Sequence, residues 1–353
     1  MSSIQAQNYS IEFRENAYLS LNNLIAKNDY SKLFLLTDTN TNISCSSHFL
    51  ENLQTNKELE ILEIPNGEIH KNIDTCVSLW NALIELGADR KSLLINLGGG
   101  VTTDIGGFVA TTFMRGFDFV HVPTSLLAMV DASVGGKNGV DLGGLKNIVG
   151  TIKTPKMVLI DSFFLNTLPA KEMRSGLAEM IKHGLIADAS YFDKLSNLAD
   201  FNLTDLDGLI HESIIIKNTI VSNDPFEKGE RKKLNFGHTL GHAVETYFLD
   251  TEKPLSHGEA VIIGSILALF LSTKATGFPI DLAESIKNQF LKTYTKIDFN
   301  ITEIKAIIDL LKYDKKNKNG IVNFVVLEEI GKASIDHHFD NESLLEAFEF
   351  YKK

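Results

Sequence analysis

Ser92-Leu93-Leu94-Ile95-Asn96-Leu97-Gly98 runs without interruption into Gly99-Gly100-Val101-Thr102-Thr103-Asp104. The first half is an apolar run of strand length ending in glycine, and the residues beyond, Thr103 to Met114, are long enough for a helix. A strand that turns through glycine into a helix N-terminus leaves bare backbone N–H groups that can hold a pyrophosphate. The spacing departs from G-x-G-x-x-G, because Thr103 stands where the last glycine should be. A tight turn and a nucleotide site both stay open on these residues alone.

The same alternation extends outward. Lys32 to Asp38, Leu59 to Pro65, Phe117 to Pro123 and Met157 to Asp161 read as strands, and Asn72 to Leu86 as a helix. Alternating β and α predicts a mostly parallel sheet covered by helices. Beyond about Asp161 the pattern turns helical, with Lys171 to Ala187, His211 to Val221, Gly258 to Ala275 and Leu282 to Tyr294. Two domains are therefore expected, an α/β domain over 1–160 and a mainly α-helical domain over 161–353. A small hairpin is expected from Ile321 to Leu327 and Gly331 to Ile335, after a polar, lysine-rich loop over Asp314 to Gly320.

Composition excludes several classes. The 353 residues are 44% hydrophobic and 22% charged, enough for a sizeable core. A formal charge of −11 argues against nucleic acid or an anionic membrane as the main partner, since both reward a basic surface. Cys45 and Cys76 form no C-x-x-C pair, so neither a disulfide scaffold nor a thiolate zinc site is indicated. Met1 to Ser10 lacks the apolar core of a signal peptide, which points to a cytoplasmic protein. Ala260 to Ser272 is too short an apolar run for a bilayer and reads as a buried helix.

Two regions carry chemistry. Leu234-Asn235-Phe236-Gly237-His238-Thr239-Leu240-Gly241-His242 and Leu255-Ser256-His257-Gly258-Glu259-Ala260 place three histidines beside glycines. His238 and His242 share one helix face. With the carboxylate of Glu179, inside the apolar helical run Ser175 to Gly184, they suggest a catalytic metal site with an open position. Glu179 can equally be an ion-pair partner of Lys182 or His183, and His242 a second metal ligand or a substrate contact. Gly135-Gly136-Lys137-Asn138-Gly139 and Gly143-Gly144-Leu145-Lys146-Asn147 each set a lysine in what reads as a flexible glycine-lined loop. Neither is a P-loop, because Asn138 replaces the required Ser or Thr.

Together these stretches resemble the 3-dehydroquinate synthase family, along nearly the whole chain. The landmarks are Asn66-Gly67-Glu68 with Lys71, Gly98-Gly99-Gly100 with Asp104, Phe113-Met114-Arg115-Gly116, Val122-Pro123-Thr124-Ser125 and Val130-Asp131-Ala132-Ser133-Val134-Gly135-Gly136-Lys137. Lys146-Asn147, Gly176-Leu177-Ala178-Glu179, the two histidine stretches and Asp314-Lys315-Lys316 complete the series. The resemblance implies a Rossmann-like N-terminal domain, a mainly helical C-terminal domain, and an NAD- and zinc- (or cobalt-) dependent carbon–oxygen lyase. The family's substrate is the anionic sugar phosphate 3-deoxy-D-arabino-heptulosonate 7-phosphate, and its members are usually homodimers.

By the same resemblance, the metal falls to Glu179, His238 and His257. NAD falls to Asp38, Asn40, Glu68, Lys71, Gly99, Gly100, Asp104, Thr124, Ser125 and Thr167, with Lys137 and Lys146 adjoining. The substrate falls to Arg115, Asp131, Lys137, Lys146, Asn147, Lys182, Arg231, Asn235 and His242, with Lys315 chosen over Lys316. An anionic substrate needs such cations even within a net acidic chain. Asn138 stands where the family usually has threonine, and Asp141 near a common asparagine, which opens a small shift in substrate geometry. Sibling cyclases such as 2-deoxy-scyllo-inosose synthase, a polyol dehydrogenase on the same fold, and a nucleotide-binding module without catalysis are the rival readings.

Overall fold

The computed structural model describes residues 1–143, 145–195, 203–249, 251, 254–313 and 322–353. The chain divides into two compact units, Met1–Pro169 and Ala170–Lys353.

The first unit begins with β1 (Ile4–Gln5), β2 (Ser10–Phe13) and α1 (Arg14–Lys27), and continues with β3 (Leu33–Asp38), α2 (Thr39–Asn52) and β4 (Leu59–Ile64). Then come α3 (Ile73–Glu85), β5 (Leu93–Gly98), α4 (Gly100–Thr112), β6 (Asp118–Pro123), β7 (Lys137–Leu142), β8 (Leu145–Ile152) and β9 (Met157–Ile160). Seven strands form one sheet in the order β1-β2-β9-β6-β5-β3-β4, parallel except where β1 meets β2. Leu33 to Leu36 and Leu93 to Leu97 are wholly buried, as continuous apolar runs in a parallel sheet should be. Helix α3 turns Cys76, Leu79 and Leu83 into the core, where they meet Phe34, Ile105 and Phe108. The unit is the expected α/β Rossmann-like fold.

One expectation needs correction here. The glycine-lined segments around Lys137 and Lys146 are not loops: they are β7 and β8, an antiparallel hairpin. Backbone pairing across the hairpin outweighs the loop propensity of its glycines. The Asn138 side chain is turned inward. It is buried, donates to the carbonyls of Gly136 and Lys153 at 3.1 and 2.9 Å, and lies where a Cβ on Gly107 of α4 would stand. In place of a threonine, its amide ties the two ends of the hairpin together and packs against Gly107 of α4.

The second unit holds α5 (Ala170–Ala187), α6 (Ala189–Leu195), α7 (Leu203–Asn223), α8 (His238–Phe248), α9 (His257–Ala275), α10 (Ile280–Thr293) and α11 (Ile301–Leu310). The hairpin β10 (Phe324–Glu329) and β11 (Lys332–His337) and a last helix, α12 (Asn341–Lys352), complete it. Helix α9 has the length and composition of a membrane span, yet 72% of its apolar window is buried inside the protein. It is the core helix of this unit, packed by α5, α8, α10, α12 and β10. Ser256 and Glu259 form a capping box that fixes where it starts. A Cβ on Gly264 would stand 1.9 Å from the Gly237 carbonyl oxygen, and one on Gly258 would stand 2.3 Å from the Ser175 Cα. Glycine at these places lets α9 lie against α8 and α5 at backbone contact.

Candidate functional site

That close packing brings Glu179 of α5, His238 of α8 and His257 of α9 together. Glu179 is fully buried, and its Oε2 accepts a hydrogen bond from Lys182 Nζ. Its Oε1 has no hydrogen-bond partner among the described residues, although His238 Nε2 lies 3.3 Å away and His257 Nε2 3.5 Å away. Each imidazole is oriented from behind. His238 Nδ1 lies 3.1 Å from the Phe236 carbonyl, and His257 Nδ1 lies 3.4 Å from Glu245 Oε2. With each Nδ1 turned backward, both Nε2 atoms face Glu179 Oε1, and each offers a lone pair there once it carries no proton.

A buried carboxylate oxygen without a hydrogen-bond partner, converging on two imidazole Nε2 atoms, fits a divalent cation. The three ligand atoms lie within 4.8 Å of one another. The His257 side chain stays 26% exposed, which leaves a side open for a further ligand. The two readings of Glu179 are thus compatible, since each oxygen serves one of them. His242 lies on the same helix face, its ring 5.1 Å from that of His238. It clusters with Glu245 and His257 rather than with Glu179.

The charges agree with this geometry. Burial by itself would raise the Glu179 carboxyl, but the Lys182 ammonium and the two imidazoles hold it well below the usual range. Burial, helped by Lys182, lowers His238. Burial would lower His257 too, but the Glu179 and Glu245 carboxylates on either side of it outweigh that and lift it to about 10. The two histidines diverge because only His257 faces a second carboxylate. In the metal-free protein the cluster therefore keeps a proton on His257, which a cation displaces on binding.

The second unit also buries Lys182 and Arg231. Arg231 donates to the Pro225 carbonyl at 2.8 Å, and the Asn235 amide donates to Glu227 Oε1 at 2.7 Å. Four participants were passed over in the sequence. Glu245 orients His257, and Glu227 orients Asn235. Asp224 caps the backbone N–H groups of Lys228, Gly229 and Arg231. Lys217 is a buried cation on α7, which packs against the turn carrying Arg231. Lys217 had a signal, a lone charge after Ile214-Ile215-Ile216. The others are ordinary acidic residues until folded. Lys315, with Lys316, lies outside the described residues.

In the first unit, the chain runs from β3 outward to β4 and then returns to β5 on the other side of β3. Ligands of open α/β sheets bind at such a reversal, beyond the strand C-termini. Asp38 ends β3 and Gly98 ends β5 there. Helix α4 starts from Gly99 with no side-chain cap, whereas Asp38 caps α2 and Asn72 caps α3. An uncapped N-terminus after glycines, at the reversal point, fits a pyrophosphate. Thr102 Oγ1 donates to Asp38 Oδ2 at 3.2 Å and ties the two lips together. Thr124 follows β6, with its N–H on the Gly98 carbonyl, and Ser125 Oγ would stand 3.5 Å from a Cβ on Gly99. Asn40 and Thr167 are exposed nearby in sequence to β3 and β9.

Around this edge, Lys71 is buried against Asp104, Nζ to Oδ2 at 2.6 Å. Burial would lower the ammonium, but Asp104 and Glu68 hold it above its ordinary range. Lys146 lies 3.5 Å from Glu68. Asp131 sits on a π-helical turn, Ala128–Ala132, a distortion common at functional sites. Lys137 and Arg115 are exposed, and Arg115 follows Met114 in the left-handed region, at φ 69° and 48°.

A solved structure of 2-deoxy-scyllo-inosose synthase, complexed with carbaglucose-6-phosphate, NAD+ and Co2+, matches this fold with a TM-score of 0.84. The identity is 25%, over 99% of each chain. An iron-containing alcohol dehydrogenase from Thermococcus thioreducens shares the fold alone, with a TM-score of 0.70 at 13% identity over 99% of this chain and 100% of that one. The family model for the 3-dehydroquinate synthase N-terminal region matches residues 61–175, and that for the C-terminal region matches 176–317. The 3-dehydroquinate synthase of Parabacteroides distasonis is 40% identical over 335 residues, 94% of this chain and 95% of its own. That of Halalkalibacterium halodurans is 41% identical over 334 residues, 93% and 91% of the two chains. The chain belongs to the 3-dehydroquinate synthase family.

Proposed function

We propose that the protein converts 3-deoxy-D-arabino-heptulosonate 7-phosphate into 3-dehydroquinate and phosphate, a step of aromatic amino acid biosynthesis. The conversion combines transient oxidation, β-elimination of phosphate, re-reduction and intramolecular aldol closure. The observation that carries this reading is the convergence of Glu179 Oε1 with the Nε2 atoms of His238 and His257, in a chain of this family. Bound there, a zinc or cobalt ion would lower the pKa of a substrate alcohol, while NAD at the edge of the first unit would accept and return a hydride.

The chain's own residues then have distinct tasks. Lys182 occupies Glu179 Oε2, so that only Oε1 is offered to the metal. Asp38, Asn40, Gly99, Gly100, Thr124, Ser125 and Thr167 frame the dinucleotide, and Glu68, Lys71 and Asp104 form a charged set beside it. Arg231 and Arg115 offer planar forks suited to a carboxylate, whereas Lys137 and Lys146 are point charges suited to phosphate. Asn235, held by Glu227, and His242, Asn147 and Asp131 present hydrogen-bonding groups to the substrate's hydroxyls. Lys315 is proposed by resemblance alone, as is a cytoplasmic homodimer, which light scattering would read.

The test mixes the purified protein with the heptulosonate phosphate, catalytic NAD and zinc, with a chelated control. Chelator-sensitive phosphate release giving 3-dehydroquinate, without net NADH, supports the reading. Absence of phosphate release from metal-loaded protein overturns it in favour of a sibling cyclase, and net NADH from a polyol in favour of a dehydrogenase.

A further inference from the structure

The β7–β8 hairpin departs from regular pairing at one place. Val140 pairs with Val149, and Leu142 with Leu145. Lys146, Asn147 and Ile148 therefore stand opposite the single residue Asp141. Such bulges re-aim side chains, and they occur preferentially beside functional sites. Asn147 adopts φ 51°, in the left-handed region that a residue with a side chain enters at a cost. Something must hold it there.

Asp141 does so. Its Oδ1 accepts the Asn147 backbone N–H at 2.6 Å. Its own backbone N–H donates to the Lys71 carbonyl at 2.8 Å, and Asn72 bridges to it along the backbone. Lys71 is in turn anchored to Asp104 of α4. A second link runs in parallel from Lys146 Nζ to Glu68 Oε1. The Glu68–Lys71 turn and the bulge that carries Lys146 and Asn147 are thus joined through one side chain and one peptide.

We propose that Asp141 is a positioning residue: it clamps the Lys146–Asn147 bulge onto the Glu68–Lys71 turn and so sets the substrate-side lysine and amide. The assignment rests on the substrate role proposed above for Lys146 and Asn147. What the clamp requires is an acceptor oxygen at Oδ1, which asparagine also has, and alanine lacks.

The experiment compares full-length wild type with Asp141→Ala, Asp141→Asn, Lys146→Ala and the double variant Asp141→Ala/Lys146→Ala, each zinc-loaded. Asp141→Ala should raise the KM for the heptulosonate phosphate by about 10-fold with kcat within about 3-fold, the pattern of lost ground-state binding. Asp141→Asn should stay within about 3-fold of wild type in both. In the Lys146→Ala background, Asp141→Ala should cost less than its about 10-fold in the wild-type background, the remainder being what it exerts through Asn147. Backbone amide exchange over 145–149 should accelerate in Asp141→Ala and nowhere else. Should Asp141→Ala fail to fold, Asp141→Ser, whose hydroxyl falls short of the Asn147 N–H, replaces it. Multiplying losses in the double variant, an Asn variant as impaired as the Ala one, or unchanged exchange at the tip would each overturn the clamp. If wild type itself releases no phosphate, the proposed activity fails, and the exchange measurement still decides whether Asp141 holds the bulge.

Discussion

A single carboxylate, Glu245, separates the electrostatics of the two histidines proposed to hold the metal. Glu245, behind His257, orients the ring and raises its basicity, as outer carboxylates do for ligating histidines. Glu245→Gln should weaken metal binding by about 10- to 100-fold, read by competition with a chromophoric chelator, while the fold persists. Unchanged affinity would mean that Glu245 is only a packing group. His121 presents the reverse electrostatics. It is buried in β6, its Nδ1 is 3.2 Å from Asn96 Nδ2, and burial depresses it to about 3, only partly offset by Asn138. A base whose folded pKa lies below its unfolded value of about 6.5 costs stability as pH falls from the unfolded to the folded value. His121→Gln should therefore lose less of its thermal midpoint than wild type between pH 7 and pH 4. Equal losses would show that other groups govern the acid limb.

Among the elements, the packing of α9 decides the geometry of the proposed metal site. Gly258 follows His257, and a Cβ there would stand 2.3 Å from the Ser175 Cα, a backbone atom of α5 that has no way to swing aside. Gly258→Ala should destabilise the protein by about 1–3 kcal/mol, the usual cost of overpacking. It should also lower bound metal per chain, because α9 moves His257 away from Glu179. A variant with full metal content at a lower thermal midpoint would separate packing from site geometry. Much at this scale is legible in the sequence. Apolar runs ending in turn residues, Asp38 after β3 and glycine after β5, mark these strands, since parallel strands buried on both faces need continuous hydrophobicity. The β7–β8 hairpin is not legible, because its glycines and polar residues carry turn propensity, and its pairing is made with a strand that is itself weakly patterned.

At the scale of the whole molecule, NAD and metal should protect different units. Amide exchange should slow at 38–41 and 99–104 on adding NAD, and at 236–242 and 257–260 on adding zinc, as ligands stabilise what they bind. Protection by NAD at the histidines but not at 99–104 would sink the assignment of the dinucleotide to the first unit. The alternation of β3 to β6 and β9 with helices, the glycine turn after β5, and the set of histidines with Glu179 are all determined by the sequence itself. They are local matters of periodicity, glycine placement and residue chemistry, which a linear pattern records. Which histidine joins Glu179, that Glu179 divides its two oxygens between Lys182 and the imidazoles, and that Glu245, Glu227 and Asp141 stand behind the residues they orient were decided only by the tertiary structure. Those relations depend on distances between side chains far apart in the chain, and helix packing at glycine contacts, not spacing along the sequence, sets such distances.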